Sequence, residues 1–335
     1  MNTIQHNSDF LFLYEAINCN PNGDPDQENK PRMDYDTQTN LVTDIRLKRY
    51  IRDYLMQQGE NVFVSMEEER KVNPDQKLEF VINRLLTDEN LINTYFEGHD
   101  DMKEAFQAIL TKQKDSKGVF KALQSTDNKS LNVFILAKIV KETFPDIRLF
   151  GSAFAVKGFT RAYTGPVQIN WGYSLNKVYP VASDSIVTIM NDDSSTFGKD
   201  YRIHYSLLAF HGAVNKYAAV STGLTDEDME LFRSAIWSAI PSLPTRSKLN
   251  QYPKLYLEII YNDGFHNGYF GDLRNYIGCE AAAITGGDFK KVRKLTDLSL
   301  SFTRLEELIQ EHKGADKPIK DIVLKTSSDL AINLS

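Results

Sequence analysis

The sequence predicts an α+β protein whose main domain has a ferredoxin-like, or RRM-like, topology. Three observations support this fold class. An aromatic-rich apolar run of strand length opens the chain, strand and helix patterns then follow in the order β-α-β-β-α-β, and two long insertions interrupt that order. With 335 residues, 41% of them hydrophobic, the chain is long enough to bury a substantial core.

The first predicted strand and the first predicted helix enclose a polar loop. Residues 10–17 form the apolar run and are predicted to be the strand. Pro21, Pro25 and Pro31 each fix their own φ in the loop that follows, so the loop is expected to be stiff. Thr43 is a suitable N-cap for the helix, and Asp44 suits its positive end.

The two insertions differ in character. Residues 60–144 are rich in charged and polar residues with helical periodicity, and they predict a helical insertion that Pro145 ends. Residues 181–205 predict a hairpin whose tip spans 191–200 and whose return begins at 201 and continues to 210. The other predicted elements are a strand at 167–171, a helix from the Thr225 cap to Ile240, a strand at 254–261, a helix at 304–311 and a short strand at 321–325.

Composition narrows the function classes. No segment approaches the roughly 18 consecutive apolar residues that a membrane span needs, and we expect a cytoplasmic protein with no membrane partner. Cys19 and Cys279 are expected to be reduced and structural. The six histidines lack ligand spacing, and no phosphate-binding or dinucleotide-binding motif is present, so no cofactor and no metal are expected.

The net charge of −6 argues mildly against a nucleic-acid partner, but the charges are sorted along the chain. Arg46, Lys48, Arg49 and Arg52 follow one another with no acidic residue between them. Such a helix start can neutralise phosphates, although a solvated helix face balanced by nearby aspartates is the alternative. Further basic clusters occur at 246–254 and 290–294.

The acidic residues of the loop have two interpretations. Asp24, Asp26 and Asp34 could converge on a metal ion, or they could form Asx turns. A calcium loop of the EF-hand type is excluded, because Asn29 stands where glycine is required and Tyr35 stands where glutamate is required. Farther along, residues 157–164 overlap the RRM signature at Lys157 and Phe159 and then depart from it.

Several motifs in a fixed order carry a family resemblance. They are residues 20–25 (NPNGDP), 31–34 (PRMD), 41–44 (LVTD), 164–168 (TGPVQ) and 171–172 (WG). Together they resemble the Cas-seven family, the backbone subunit of type I CRISPR surveillance complexes (Cascade), and most closely its subtype I-B (Csh-type) members. The similarity extends from Phe10 to about Tyr261.

The resemblance implies a hand-shaped protein with an RRM-like palm (1–59 and 145–335), helical fingers (60–144) and a hairpin thumb (181–205). It implies multimerisation along CRISPR RNA, presentation of that RNA to target DNA, contacts with other Cascade subunits, a role in antiviral defence, and no catalysis. A related type III subunit cleaves RNA with a loop aspartate, so a metal-dependent endoribonuclease using Asp24, Asp26 or Asp34 is the alternative. The implied RNA-binding residues are Asn20, Asn22, Arg46, Lys48, Arg49, Arg52, Lys157, Phe159, Arg161 and Gln168.

Overall fold

The structure is a computed structural model that describes residues 2–64, 66–67, 70–71, 74–156, 159–182, 185–191 and 194–332. The chain divides into two compact units. We call Gln5–Tyr54, Val167–Asn215 and Phe232–Ser335 the sheet unit, and Met1–Ile4, Leu55–Pro166 and Lys216–Leu231 the helical unit. No helix in the described ranges combines the length and the apolar composition needed to cross a bilayer.

The strands are β1 (Ser8–Cys19), β2 (Gly23–Asp24), β3 (Lys30–Pro31), β4 (Met33–Asp34), β5 (Thr39–Val42), β6 (Met66–Glu67), β7 (Arg70–Lys71), β8 (Gly151–Val156), β9 (Phe159–Thr164), β10 (Val167–Ile169), β11 (Gly172–Ser174), β12 (Ser185–Asn191), β13 (Ser194–Lys199), β14 (Ile203–Val214), β15 (Gln251–Tyr261), β16 (Gly278–Ala281), β17 (Leu298–Ser301) and β18 (Ile319–Thr326). The helices are α1 (Asp44–Gln57), α2 (Pro74–Thr87), α3 (Glu89–Tyr95), α4 (Asp100–Lys112), α5 (Ser116–Leu123), α6 (Lys129–Thr143), α7 (Pro145–Phe150), α8 (Lys216–Thr222), α9 (Asp226–Ser242) and α10 (Thr303–His312).

An antiparallel sheet forms the centre of the sheet unit. Its strands lie in the order β18-β15-β1-β14-β11-β5-β4, and β10 also pairs with β14. Strand β1 lies between β15 and β14, and its Phe12 stands opposite both Phe210 of β14 and Tyr256 of β15. The predicted first strand is therefore confirmed, and it extends beyond residues 10–17 at both ends.

Both faces of this sheet are covered. On one face Phe10 packs edge-on against Phe232 of α9, with ring centroids 5.5 Å apart, and stacks on Tyr256. On the other face Leu11 and Leu257 are buried in a cluster of apolar residues, many of which come from the chain beyond residue 265. Successive side chains of β1 point to opposite faces of the sheet, and both faces are buried. This explains why the sequence of β1 is a continuous apolar run.

The caps predicted for two helices are confirmed. The hydroxyl of Thr43 accepts from the amide of Arg46 at 3.2 Å, and α1 begins at Asp44. The hydroxyl of Thr225 accepts from the amide of Asp228 at 3.3 Å, while the carboxylate of Asp228 accepts from the amide of Thr225 at 3.1 Å. This reciprocal pair satisfies donors that a helix start leaves open.

Residues 60–144, which were predicted to be a helical insertion, contain α2 to α6, and these helices belong to the helical unit. Phe96 and Phe106 stack in the core of this unit, with ring centroids 5.3 Å apart.

Pro145 does separate α6 from the next element, but it also begins α7, because proline suits the first turn of a helix. Gly165 permits a close backbone approach, since a Cβ there would lie 2.1 Å from the carbonyl carbon of Phe150.

Two predicted boundaries are wrong. The hairpin is present, but β13 occupies residues that were predicted to be its tip, and β14 is a separate strand of the main sheet that begins at Ile203. A two-stranded hairpin outside the main sheet has no need for the apolar alternation that marks buried strands, which explains why its return was missed. The strand predicted at 167–171 ends at Ile169, and Trp171 lies in the link to β11 with 48% of its surface exposed.

Candidate nucleic-acid interface

The loop between β1 and α1 uses both of its predicted RNA-binding asparagines to hold its own shape. The side chain of Asn20 donates to the carbonyl of Asn29 at 2.8 Å. The side-chain oxygen of Asn22 accepts from the amide and the hydroxyl of Thr43, at 2.9 and 3.1 Å. The stiffness predicted from the prolines therefore also rests on these hydrogen bonds, which fix the loop against the start of α1.

The basic residues of α1 are partly balanced by acids on the same helix. Lys48 forms an ion pair with Asp44 at 3.0 Å, and Arg49 forms one with Asp53 at 2.7 Å, each one turn apart. Arg52 is half-buried. The first turns of α1 are therefore not a uniformly cationic surface.

Arg46 is arranged differently, and its charge acts on a basic residue from a distant part of the sequence. Its guanidinium lies over the ring of Tyr50, 4.1 Å from the centroid. Lys248 donates from its ammonium group to the carbonyl of Asn20. Burial, and then the nearby charge of Arg46, lower the pKa of Lys248 to about 8. We call Arg46 and Lys248 the cation pair.

The cation pair combines two like charges with several hydrogen-bond donors. Within the described ranges neither residue forms an ion pair with a carboxylate. The Nε atom of Arg46 is buried without a hydrogen-bond partner among these residues. Two like charges that repel one another, with no carboxylate partner among the described residues, are well suited to a phosphate group, whose oxygens accept charge-assisted hydrogen bonds.

Lys248 was missed as a site residue in the sequence, although the acid-free stretch that contains it is visible there. The three basic residues of that stretch have different roles. Lys254 is buried between Glu15 and Asp329, at 2.7 and 2.6 Å, and so supports the sheet. Arg246 lies 3.4 Å from Asp200 with 63% of its side chain exposed. The three basic residues therefore differ in the distant residues that they contact, and Lys248 differs from the other two in contacting a backbone carbonyl, that of Asn20.

Among the described residues, neither face of the sheet presents an open platform for bases. RRM sheets stack bases on aromatic residues at the centre of an open face. Here Leu11, Leu13 and Leu257 occupy that position and are fully buried beneath the C-terminal part of the sheet unit, which includes Leu305 of α10. The candidate interface therefore consists of the loop after β1, the start of α1 and Lys248.

The remaining predicted RNA-binding residues lie elsewhere. Gln168 is exposed on β10, opposite Ala213 of β14. Phe159 and Arg161 belong to β9 of the helical unit, where the backbone is described. Lys157 lies outside the described residues. The structure thus groups the six predicted residues between 20 and 52 around one loop and one helix.

The loop aspartates form turns. Asp24 accepts from the amide of Asp26 at 3.2 Å and forms an ion pair with Arg32 at 3.2 Å. Asp34 accepts from the hydroxyl of Thr37 at 2.8 Å and from the amide of Asp36, and these hydrogen bonds hold the pKa of Asp34 below its usual value. No group of three or more histidine, cysteine and acidic side chains converges within the described part of the chain. The geometry favours the Asx-turn interpretation.

Two solved structures resemble the fold at low sequence identity. One is a chain of a "CRISPR RNA-guided surveillance complex, pre-nicking", with a TM-score of 0.46, 13% identity, and coverage of 91% of this chain and 88% of that chain. The other is a chain of a "CRISPR RNA-guided surveillance complex", with a TM-score of 0.40, 13% identity, and coverage of 91% of this chain and 87% of that chain.

Sequence comparison covers nearly the whole chain. The protein is 29% identical over 317 residues to "CRISPR-associated protein Cas7" of Haloferax volcanii, and the match spans 92% of this chain and 84% of that protein. The family model described as "CRISPR-associated protein Cas7" matches residues 6–303. Because this match includes most of the chain, with the loop, α1 and Lys248 inside it, the chain belongs to the Cas7 family of CRISPR-associated proteins.

Proposed function

We propose that this protein is the RNA-binding backbone subunit of a type I CRISPR surveillance complex, most similar to subtype I-B. Several copies multimerise along a CRISPR RNA, together with other Cascade subunits, and present the RNA for pairing with target DNA. The observation that carries this proposal is the cation pair, in which the charge of Arg46 acts on Lys248 and neither residue forms an ion pair with a carboxylate among the described residues.

The chemistry of the cation pair suits an RNA backbone. Contacts to phosphate position a protein on nucleic acid without reading its sequence, and in RNA-guided complexes the sequence is read by base pairing. The fork of a guanidinium binds phosphate oxygens at two points, and an adjacent ammonium adds a second charge. Each phosphate that is bound would also relieve the repulsion between Arg46 and Lys248.

The strand order supports an RRM-like palm. Four neighbouring strands of the sheet lie in the order β15-β1-β14-β11. Along the chain, α1 follows β1 and α9 lies between β14 and β15. This combination matches the split β-α-β arrangement expected of ferredoxin-like folds. We propose that residues 1–59 and 145–335 act as the palm, 60–144 as the fingers and 181–205 as the thumb. The proposed role is non-enzymatic, and the use of Asp24 and Asp34 in turns supports this.

The test is RNA binding by variants of the cation pair. Arg46→Gln and Lys248→Gln should each weaken binding to CRISPR RNA by about 10- to 150-fold, because a charged hydrogen bond to phosphate contributes about 1.5–3 kcal/mol. Arg304→Gln is the matched control, since Arg304 also lies over a tyrosine ring, at 5.4 Å from the centroid of Tyr276. Affinity is measured by fluorescence anisotropy with labelled RNA.

The control separates a specific contact from a general loss of charge. If Arg304→Gln weakens RNA binding as much as Arg46→Gln and Lys248→Gln do, the RNA-binding site does not lie at the cation pair. If the wild-type protein binds no RNA even with its partner subunits present, the proposed function itself is wrong.

A further inference from the structure

A second cationic cluster joins the loop after β1 to the base of the β12–β13 hairpin. The Oε2 atom of Glu28 accepts from the hydroxyl of Tyr201 at 2.7 Å and from the ammonium of Lys199 at 3.4 Å. The ammonium of Lys30 lies 3.8 Å from the same oxygen. Both ammonium groups also lie over the ring of Tyr201, 5.2 and 5.7 Å from its centroid. One carboxylate oxygen therefore faces three donors.

Glu28 reaches this position from an unusual backbone conformation. Its φ is 53° and that of Asn29 is 61°, so two consecutive residues adopt the left-handed region. Glycine and asparagine enter this region readily, whereas a glutamate is uncommon there because its Cβ crowds the following carbonyl. The loop thus places a glutamate in a conformation better suited to glycine, and its carboxylate contacts two lysines.

The contact is also open to exchange. The side chain of Glu28 is 64% exposed and that of Lys199 is 58% exposed. The hydrogen bond from Tyr201, and then Lys199, lower the pKa of Glu28, so the carboxylate is charged at neutral pH. Solvent-exposed ion pairs of this kind are weak, and a competing anion with several acceptor oxygens can displace one.

We propose that Lys30, Lys199 and Tyr201 form a second binding subsite for a phosphodiester of single-stranded RNA, and that Glu28 occupies this subsite as an internal substitute for phosphate until RNA displaces it. The carboxylate and the phosphodiester each carry one negative charge and accept hydrogen bonds through oxygen. The inference rests on the proposed function, since it assumes that RNA is the ligand.

The test compares Glu28→Gln with a matched neutralisation elsewhere in the sheet unit. Asp321→Asn is the match, because Asp321 is also 64% exposed and lies 3.5 Å from a single lysine, Lys313. Each variant is titrated into a fluorescein-labelled single-stranded oligouridine and followed by anisotropy. Glu28→Gln should raise affinity about two- to five-fold, the range that a surface ion pair supplies, whereas Asp321→Asn should not.

A second background shows whether the gain arises at the proposed subsite. In the Lys30→Gln/Lys199→Gln protein, adding Glu28→Gln should leave affinity unchanged. The subsite is refuted if Glu28→Gln binds no better than wild type, if Asp321→Asn gains equally, or if the gain persists without the two lysines. These results would leave the proposed function standing as long as the wild-type protein binds the RNA, and a wild-type protein that fails to bind overturns both.

Discussion

The ammonium group of Lys248 donates to the carbonyl of Asn20. Burial, together with the charge of Arg46, lowers the pKa of Lys248 to about 8. An unfolded lysine titrates near the ordinary value of 10.5. Between these two values the unfolded chain binds more protons than the folded protein, so the contribution of Lys248 to stability rises with pH. Below about pH 8 the charged lysine opposes folding in full.

This linkage predicts a pH-dependent difference between the wild-type protein and Lys248→Met. The free energy of unfolding of wild type relative to the variant should rise by about 1–3 kcal/mol from about pH 7 to about pH 10. Urea denaturation at several pH values measures it, with the exposed Lys291→Met as control. If the free energies of unfolding of wild type and Lys248→Met changed with pH in parallel, the pKa of Lys248 would not be lowered in the folded protein.

At the scale of elements, the loop after β1 and the start of α1 behave as one structure. Asn22 links them through its two hydrogen bonds to Thr43, and Thr43 in turn caps the helix. The basic residues that we assign to RNA are therefore positioned by a side chain that was itself predicted to bind RNA. A polar residue in such a loop can have a structural role that its type does not reveal.

Asn22→Ala should lower the free energy of unfolding by about 1–2 kcal/mol, because the amide of Thr43 loses its acceptor. Asn22→Asp should cost less, since it keeps an acceptor oxygen and places a negative charge near the positive end of α1. Urea denaturation of both variants tests the assignment. An alanine variant as stable as wild type, or an aspartate variant as unstable as the alanine one, would argue against this link.

At the scale of the whole molecule, the proposed function requires assembly on RNA that stays intact. When the protein is mixed with RNAs of increasing length, the number of bound copies should rise in proportion to length, and the RNA should survive in Mg²⁺ or Mn²⁺. Light scattering after size-exclusion chromatography gives the copy number, and denaturing gels show the RNA.

Cleavage of the RNA would support the alternative hypothesis, that the protein is a metal-dependent endoribonuclease. Loss of that cleavage in Asp24→Ala, Asp26→Ala or Asp34→Ala, with RNA binding unchanged, would identify the aspartate responsible and overturn the non-enzymatic role. A copy number fixed at one for every RNA length would instead leave RNA binding intact and remove multimerisation.

Features that depend on residues close together in the chain could be predicted from the sequence alone. The apolar run of β1, the Thr43 and Thr225 caps, and the helical periodicity of residues 60–144 all predicted elements that the structure contains. Propensity, capping and turn chemistry act over a few residues, so their signals remain readable without the fold.

Which charged side chains form ion pairs could be seen only once the chain was folded. Lys248 and Lys254 are alike in sequence, yet Lys248 donates to the carbonyl of Asn20 and Lys254 is buried between Glu15 and Asp329. The burial of both sheet faces, and the contact of Glu28 with Lys199, likewise join residues far apart in the chain. Electrostatic energies depend on distance and burial, which a linear order of residue types does not specify.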